Sequence, residues 1–159
     1  MIALKELLSR HAQDGLVDWI GVRGARHCDV ASVSEADIAF DGLAGDHARP
    51  GKRALTLIQA EHIPVIAALI GRGDIAPEVF RRNIVVSGLN LAALRGAEIL
   101  MGTARLRITT VCAPCSRMET ALGHGAYNAM RGHGGWCAEV VAPGHVSVGD
   151  PVKVLEQAR

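Results

Sequence analysis

From residue 16 onward, turn-forming pairs cut the chain into segments of about five to eight residues, and no architecture built on long helices is compatible with that spacing. The turn signals are Asp41-Gly42, Pro50-Gly51, Met101-Gly102, Pro143-Gly144 and Gly149-Asp150. Between them the pattern predicts strands over 17–22, 28–33, 54–58, 83–86, 98–100, 104–111, 136–141 and 151–155. Several are β-branched, as in Arg107-Ile-Thr-Thr-Val111. Two helices are predicted within this run. Residues 60–70 set Ile63, Ile66, Ala67 and Ile70 on one face, with Pro64 tolerated in the first turn, and 116–122 follow Ala113-Pro114-Cys115 directly. A further helix over 2–13 would align Leu4, Leu7, Leu8 and His11. Many short strands and few helices predict a mainly β (α+β) chain, a β-barrel with peripheral helices rather than a doubly wound sheet. The 18 glycines in 159 residues suit barrel corners and turns that need positive φ.

Composition narrows the partners. The formal net charge is +1 and aromatic residues are only 3% of the chain. A nucleic-acid binder needs a basic face and usually stacking aromatics, so that class is disfavoured. The longest uncharged apolar stretch, 63–71, is too short to cross a bilayer, and Met1-Ile-Ala-Leu-Lys-Glu holds no apolar signal core. The expectation is a cytoplasmic protein without membrane contact, folding as one domain over 1–159. Disulfides are rare in that compartment, so the four cysteines point to chemistry, metal binding or packing.

The densest chemical signal is Thr110-Val-Cys112-Ala-Pro-Cys115-Ser-Arg117-Met-Glu119. Cys115 falls at a strand-to-helix junction, one residue after a proline that sets the entering backbone. Amide groups at a helix start favour an anion, so its thiolate is favoured there, and Arg117 strengthens the effect if it folds back. A nucleophile, a sulfur carrier or a soft-metal ligand all fit; so does a small packing residue. Cys112-x-x-Cys115 also matches a dithiol redox motif, but no βαβ core follows it. Zinc is a third reading: Cys112, Cys115, His133 and Cys137 give C-x2-C and then H-x3-C. Cys28 and Cys137 read as packing residues in strands, and Cys112 stays open.

Three further segments carry polar chemistry. Phe80-Arg81-Arg82-Asn83 leads into a strand and offers fork-shaped donors for phosphate or carboxylate. Strand alternation puts Arg81 and Asn83 on one face and Arg82 on the other, as a solvated charge. The loop 41–53 is glycine-rich and charged, without the P-loop spacing that would cradle a nucleotide. In Met130-Arg-Gly-His133-Gly-Gly-Trp136, three glycines let a backbone approach a ligand, and His133 reads as an acid/base group or as a plain loop histidine.

Six segments in order resemble the MOSC family, named after the C-terminal domain of molybdenum-cofactor sulfurase. They are Gly42-Leu-Ala-Gly45-Asp46, Arg53-Ala-Leu-Thr-Leu-Ile-Gln-Ala-Glu-His62, Phe80-Arg-Arg-Asn-Ile-Val-Val-Ser-Gly88, Gly102-Thr-Ala-Arg-Leu, Cys112-Ala-Pro-Cys115-Ser-Arg-Met-Glu119 and His145-Val-Ser-Val-Gly149-Asp150. The resemblance spans about 17–155 and is closest to stand-alone bacterial members. It implies a MOSC-type β-barrel and a molybdenum-cofactor (molybdopterin) site. There Cys115 ligates the metal or carries sulfur, Arg81 and Asn83 hold pterin and phosphate, and Arg53 and Arg117 assist. It further implies a reductase of N-oxygenated compounds or a sulfur carrier acting through a Cys115 persulfide. The partners implied are a small-molecule substrate and, for a reductase, a separate electron-donor protein, since no C-x4-C-x2-C cluster motif is present. Relatives built on an Arg-Cys pair differ from this chain, which has Pro114-Cys115. A zinc-stabilised, non-enzymatic binding module is the reading from another class.

Overall fold

A computed structural model describes residues 1–156. Its strands are β1 (Gly15–Val22), β2 (Ala31–Val33), β3 (Glu35–Ala39), β4 (Gly42–Leu43), β5 (Leu55–Gln59), β6 (Ile84–Ser87), β7 (Glu98–Met101), β8 (Ala104–Val111), β9 (Trp136–Ala142), β10 (Gly144–Ser147) and β11 (Pro151–Glu156). Its helices are α1 (Leu4–Leu8), α2 (His62–Leu69), α3 (Ser116–Leu122) and α4 (Ala126–Met130), with 3-10 turns at Pro77–Phe80 and Leu91–Leu94. The large sheet runs β11-β7-β8-β9-β5-β6-β1-β2, and β11 also pairs with β1 through Gly15 and Leu16. That last pairing closes seven strands into a barrel and leaves β2 as an appendix on the far half of β1. Strands β10-β3-β4 form a separate small sheet.

Side-chain alternation explains the closure. In β8, Ala104, Leu106 and Ile108 are fully buried, while Arg105 and Arg107 face out and pair with Glu98 and Glu139. The interior joins them to Val17, Ile20, Leu55, Leu57, Ile84, Val86, Ile99, Met101 and Val152. Each large aliphatic buried this way contributes about 1.5–3 kcal/mol.

Strands β5 and β6 are parallel, which requires a crossover, and α2 supplies it. Parallel strands need cover on both faces. Accordingly Leu57 and Ile84 point into the barrel, whereas Ile58 and Val85 point out, beneath Ile66, Phe80, Met118, Leu122 and Met130. This second core seats α2, α3 and α4 against the outside of the barrel wall. Among the described residues no helix is long and apolar enough to cross a membrane.

The barrel, its peripheral helices, the buried face of 60–70 and the helix over 116–122 match the sequence reading. Four local expectations are corrected. The helix predicted over 2–13 is only α1, and Leu4, Leu7 and Leu8 stay exposed because no apolar surface faces them. The strand predicted from residue 28 begins at Ala31, and Cys28 is exposed in the preceding turn rather than packed. Strands β3, β4 and β10 were not anticipated; β3 and β4 form a short hairpin, and β10 joins it from over 100 residues away. Strand β6 starts at Ile84, so Arg81 and Asn83 are not alternate residues of a strand.

Candidate functional site

The ends of β1 and β8 and the starts of β5, β6 and α3 meet around a cavity of about 450 Å³. Six arginines line it, Arg23, Arg26, Arg53, Arg81, Arg82 and Arg117, against the one carboxylate of Asp46. Cys112 and Cys115 line it as well, with Thr56, Asn83 and His47. Its volume falls in the range of small-molecule sites, and the chain's near-neutral total conceals a concentrated positive field.

Among the described residues, Arg81 is the only non-glycine one with positive φ, at 57°. It ends the 3-10 turn Pro77–Phe80 in the left-handed region, a conformation that costs a side-chain-bearing residue about 1–2 kcal/mol. The twist sends its side chain to the turn after β1. There Nη2 donates to the carbonyls of Arg26 (3.3 Å) and Cys28 (3.0 Å), while Nε is buried without a partner. The Arg26 carbonyl also receives Nη1 of Arg23 and Nη1 of Arg117, each at 3.3 Å. Three guanidiniums thus converge on one neutral oxygen. Partial burial and the neighbouring cations Arg23 and Arg117 lower the Arg81 pKa from its ordinary value. An anion seated among these groups relieves the repulsion and pairs with the forks.

Arg82 and Asn83 do different work. Arg82 is 7% exposed, and its Nε, Nη1 and Nη2 donate to the carbonyls of Gly134 (2.8 Å), Phe80 (3.2 Å) and Cys112 (3.2 Å). The solvated charge expected here is therefore a buried brace, because the left-handed turn at Arg81 swings residue 82 inward. Asn83 takes the Thr56 amide on Oδ1 and donates from Nδ2 to the Gly21 carbonyl, lacing β5 and β1 to the start of β6. Gly135 shapes the same corner: at φ 102° a Cβ there would sit 2.0 Å from the Leu57 carbonyl oxygen.

The cysteines now separate. Cys115 is exposed at the cavity, in extended backbone just before α3. Cys112, just past the end of β8, is half-buried beneath it, and Cys137 of β9 is 2% exposed. A thiol hydrogen bond from Cys137, helped by Arg82, Arg53 and Arg23 and opposed by burial, lowers Cys112 to about 6. The same contact pushes Cys137 up, so Cys137 keeps the proton.

Of the residues singled out from sequence, Cys115, Arg53, Arg81, Asn83 and Arg117 line this one cavity. His133 does not. It packs edge-on against His62, ring centres 5.0 Å apart, with Nδ1 buried and unpartnered. Burial and then His133 lower the His62 pKa. Cys112, Cys115, Cys137 and His133 do not converge: among the described residues no three His, Cys, Asp or Glu side chains are arranged to hold a metal ion. Sequence reasoning missed Arg23, Arg26 and the inward turn of Arg82. The basic, glycine-broken run Arg23-Gly-Ala-Arg26-His27 directly after a predicted strand was the available signal.

Solved structures share this fold. The YuaD protein from Bacillus subtilis superposes with a TM-score of 0.80 at 20% identity, covering 92% of this chain and 98% of that one. YiiM from Escherichia coli gives 0.74 at 24% identity, over 92% of this chain and 71% of that one. YiiM from Geobacillus stearothermophilus gives 0.76 at 19%, over 89% and 75%. No curated protein matches the chain. The family model described as the MOSC domain matches residues 29–153, which include most of the barrel and every cavity residue except those of the turn after β1, and the chain therefore belongs to the MOSC domain family.

Proposed function

We propose that this MOSC protein binds the molybdenum cofactor in the arginine-lined cavity and reduces N-hydroxylated or otherwise N-oxygenated compounds. The observation that carries the reading is one exposed thiol, Cys115, beside three guanidiniums that share a single neutral oxygen. A soft metal suits the thiolate, and a pterin phosphate suits the guanidiniums. The donor set thus fits the cofactor, with Cys115 as metal ligand and Arg81, Arg117 and Arg53 holding the phosphate. Bound there, the cofactor supplies two-electron oxygen-atom chemistry. Arg81 and Arg117 would exchange the Arg26 carbonyl for phosphate oxygens, Asn83 keeps the β1–β5–β6 corner rigid, and Arg82 holds the Cys112 backbone at the cavity wall. A small-molecule substrate and a separate electron-donor protein complete this reading, with the cytoplasm as the setting.

Protein purified from a cofactor-competent host tests it by metal analysis and pterin fluorescence. We expect molybdenum and pterin near one per chain, lost in Cys115→Ser and largely kept in Cys112→Ser. Stoichiometric zinc without pterin overturns the reading in favour of a structural zinc module. Loaded protein that reduces no hydroxylamine-type substrate with a donor, yet yields a trappable Cys115 persulfide, replaces reduction with sulfur transfer.

A further inference from the structure

Two cysteines line the cavity and a third lies behind its wall, and the proposed cofactor chemistry uses only Cys115. Cys112 and Cys115 line the cavity. Cys137 lies just behind: in the β5–β9 ladder it stands opposite Thr56, itself a lining residue. Val111 pairs with Trp136, and the Cys112 amide donates to the Gly135 carbonyl at 2.9 Å. Cys112 and Cys137 therefore fall on the same face of the β8–β9 pair, diagonal to each other, and each thiol perturbs the ionisation of the other. One member is open to the cavity and the other is sealed from solvent.

We propose that Cys112 is a second reactive thiol of the cavity, one that reduces peroxides and is resolved by Cys137 into a Cys112–Cys137 disulfide. The chemistry closes without another reactant. The Cys112 thiolate attacks one peroxide oxygen, the O–O bond breaks, and hydroxide (or alkoxide) leaves, so that Cys112 becomes a sulfenic acid. The Cys137 sulfur then attacks the Cys112 sulfur, the S–O bond breaks, and the departing oxygen takes the Cys137 proton as water. Two thiols give up two electrons and the peroxide accepts them.

Position favours both steps. The guanidiniums of Arg23, Arg53 and Arg82 favour the attacking thiolate and offset the hydroxide charge as it leaves. Diagonal pairs are somewhat farther apart than a disulfide spans, so the Cys112 backbone must shift. Cys112 is placed to do so, since it lies beyond the last ladder pair of β8 and runs into the irregular Ala113-Pro114 link. The shift stretches the 3.2 Å bond from Arg82 to the Cys112 carbonyl, which ties the redox state of the pair to the buried brace of the site.

The reduced 159-residue chain, treated with hydrogen peroxide and analysed by thiol counting and peptide mass mapping, decides the matter. Denatured protein should fall from four free thiols to two, with one cross-linked peptide joining Cys112 to Cys137. Cys137→Ala should stop at a Cys112 sulfenic acid trapped by dimedone, and Cys137→Ser is the second variant should the first fold poorly. Cys112→Ser should keep three thiols after the same treatment. A Cys112–Cys115 disulfide, or oxidation at Cys115 with Cys112 still reduced, overturns the proposal. The test needs neither molybdenum nor pterin, so its failure and that of the cofactor reading are independent.

Discussion

Asn83 and Thr56 hold each other reciprocally: Oδ1 of Asn83 accepts the Thr56 amide at 3.0 Å, and Oγ1 of Thr56 accepts the Asn83 amide at 3.0 Å. The pair joins the starts of two parallel strands directly under the cavity, one step ahead of the first β5–β6 ladder pair, Leu57 with Ile84. Asn83→Ala leaves the Thr56 amide and the buried Gly21 carbonyl without their partners. It should lower stability by about 2–4 kcal/mol, read as a shifted denaturant midpoint with unchanged slope. With Thr56→Val, the double variant should cost less than the two single losses together; full additivity would show that the pair is not coupled.

Adjacent arginines should behave oppositely. Arg81→Gly relaxes a left-handed residue and breaks two bonds made at the surface, so stability should stay level or rise by up to about 1 kcal/mol. Cofactor content should drop sharply. Arg82→Met strands three carbonyls and should cost about 2–4 kcal/mol in stability. Denaturation curves beside molybdenum content separate the two, and equal stability loss at both positions would contradict the assignment.

Alkylation of Cys112 should be half-maximal near pH 6 and flat above neutrality. Removing the Cys137 donor in Cys137→Ala should move that midpoint up toward the ordinary thiol value near ~8.5. Rates of iodoacetamide labelling, resolved by peptide mass, measure it. A Cys112 midpoint that does not respond to Cys137 would refute the thiol hydrogen bond.

His145 of β10 stands opposite Asp37 of β3, with Nδ1 2.8 Å from Asp37 and Nε2 3.3 Å from Glu35. The bond to Asp37, then that to Glu35, raises the imidazole above its ordinary 6.5. A raised pKa stabilises the fold below the unfolded value, and the contribution is lost as pH rises through the folded one. Wild type should therefore exceed His145→Gln in denaturant midpoint at about pH 5.5 and match it by about pH 9. A gap that widens with pH would reverse the sign.

Local chemistry made much of this legible in advance. Alternation in Ala104–Val111 announces a half-buried strand whatever its partner, and the spacing of Ile63, Ile66, Ala67 and Ile70 announces the face α2 buries. The neighbourhood of Cys115, Arg81 and Asn83 was readable because it rests on an ordered set of short motifs. The division of labour at 81–83 was not. It turns on one left-handed residue, and a sequence carrying arginine rather than glycine there gives no local hint of it. The shortness of α1 was equally hidden, since an apolar helical face says nothing about whether a surface awaits it.

By itself, then, the sequence determined most of the barrel strands, the buried face of α2, and which cysteine stands before a helix. Those depend on periodicity and backbone preference within a few residues. Tertiary structure alone decided that β11 returns to close on β1, that Arg23, Arg53, Arg81 and Arg117 share one cavity, and that Cys112 meets Cys137 while His133 turns away to His62. Each of these joins residues far apart in the chain through strand register, and register is settled by packing the whole barrel interior at once.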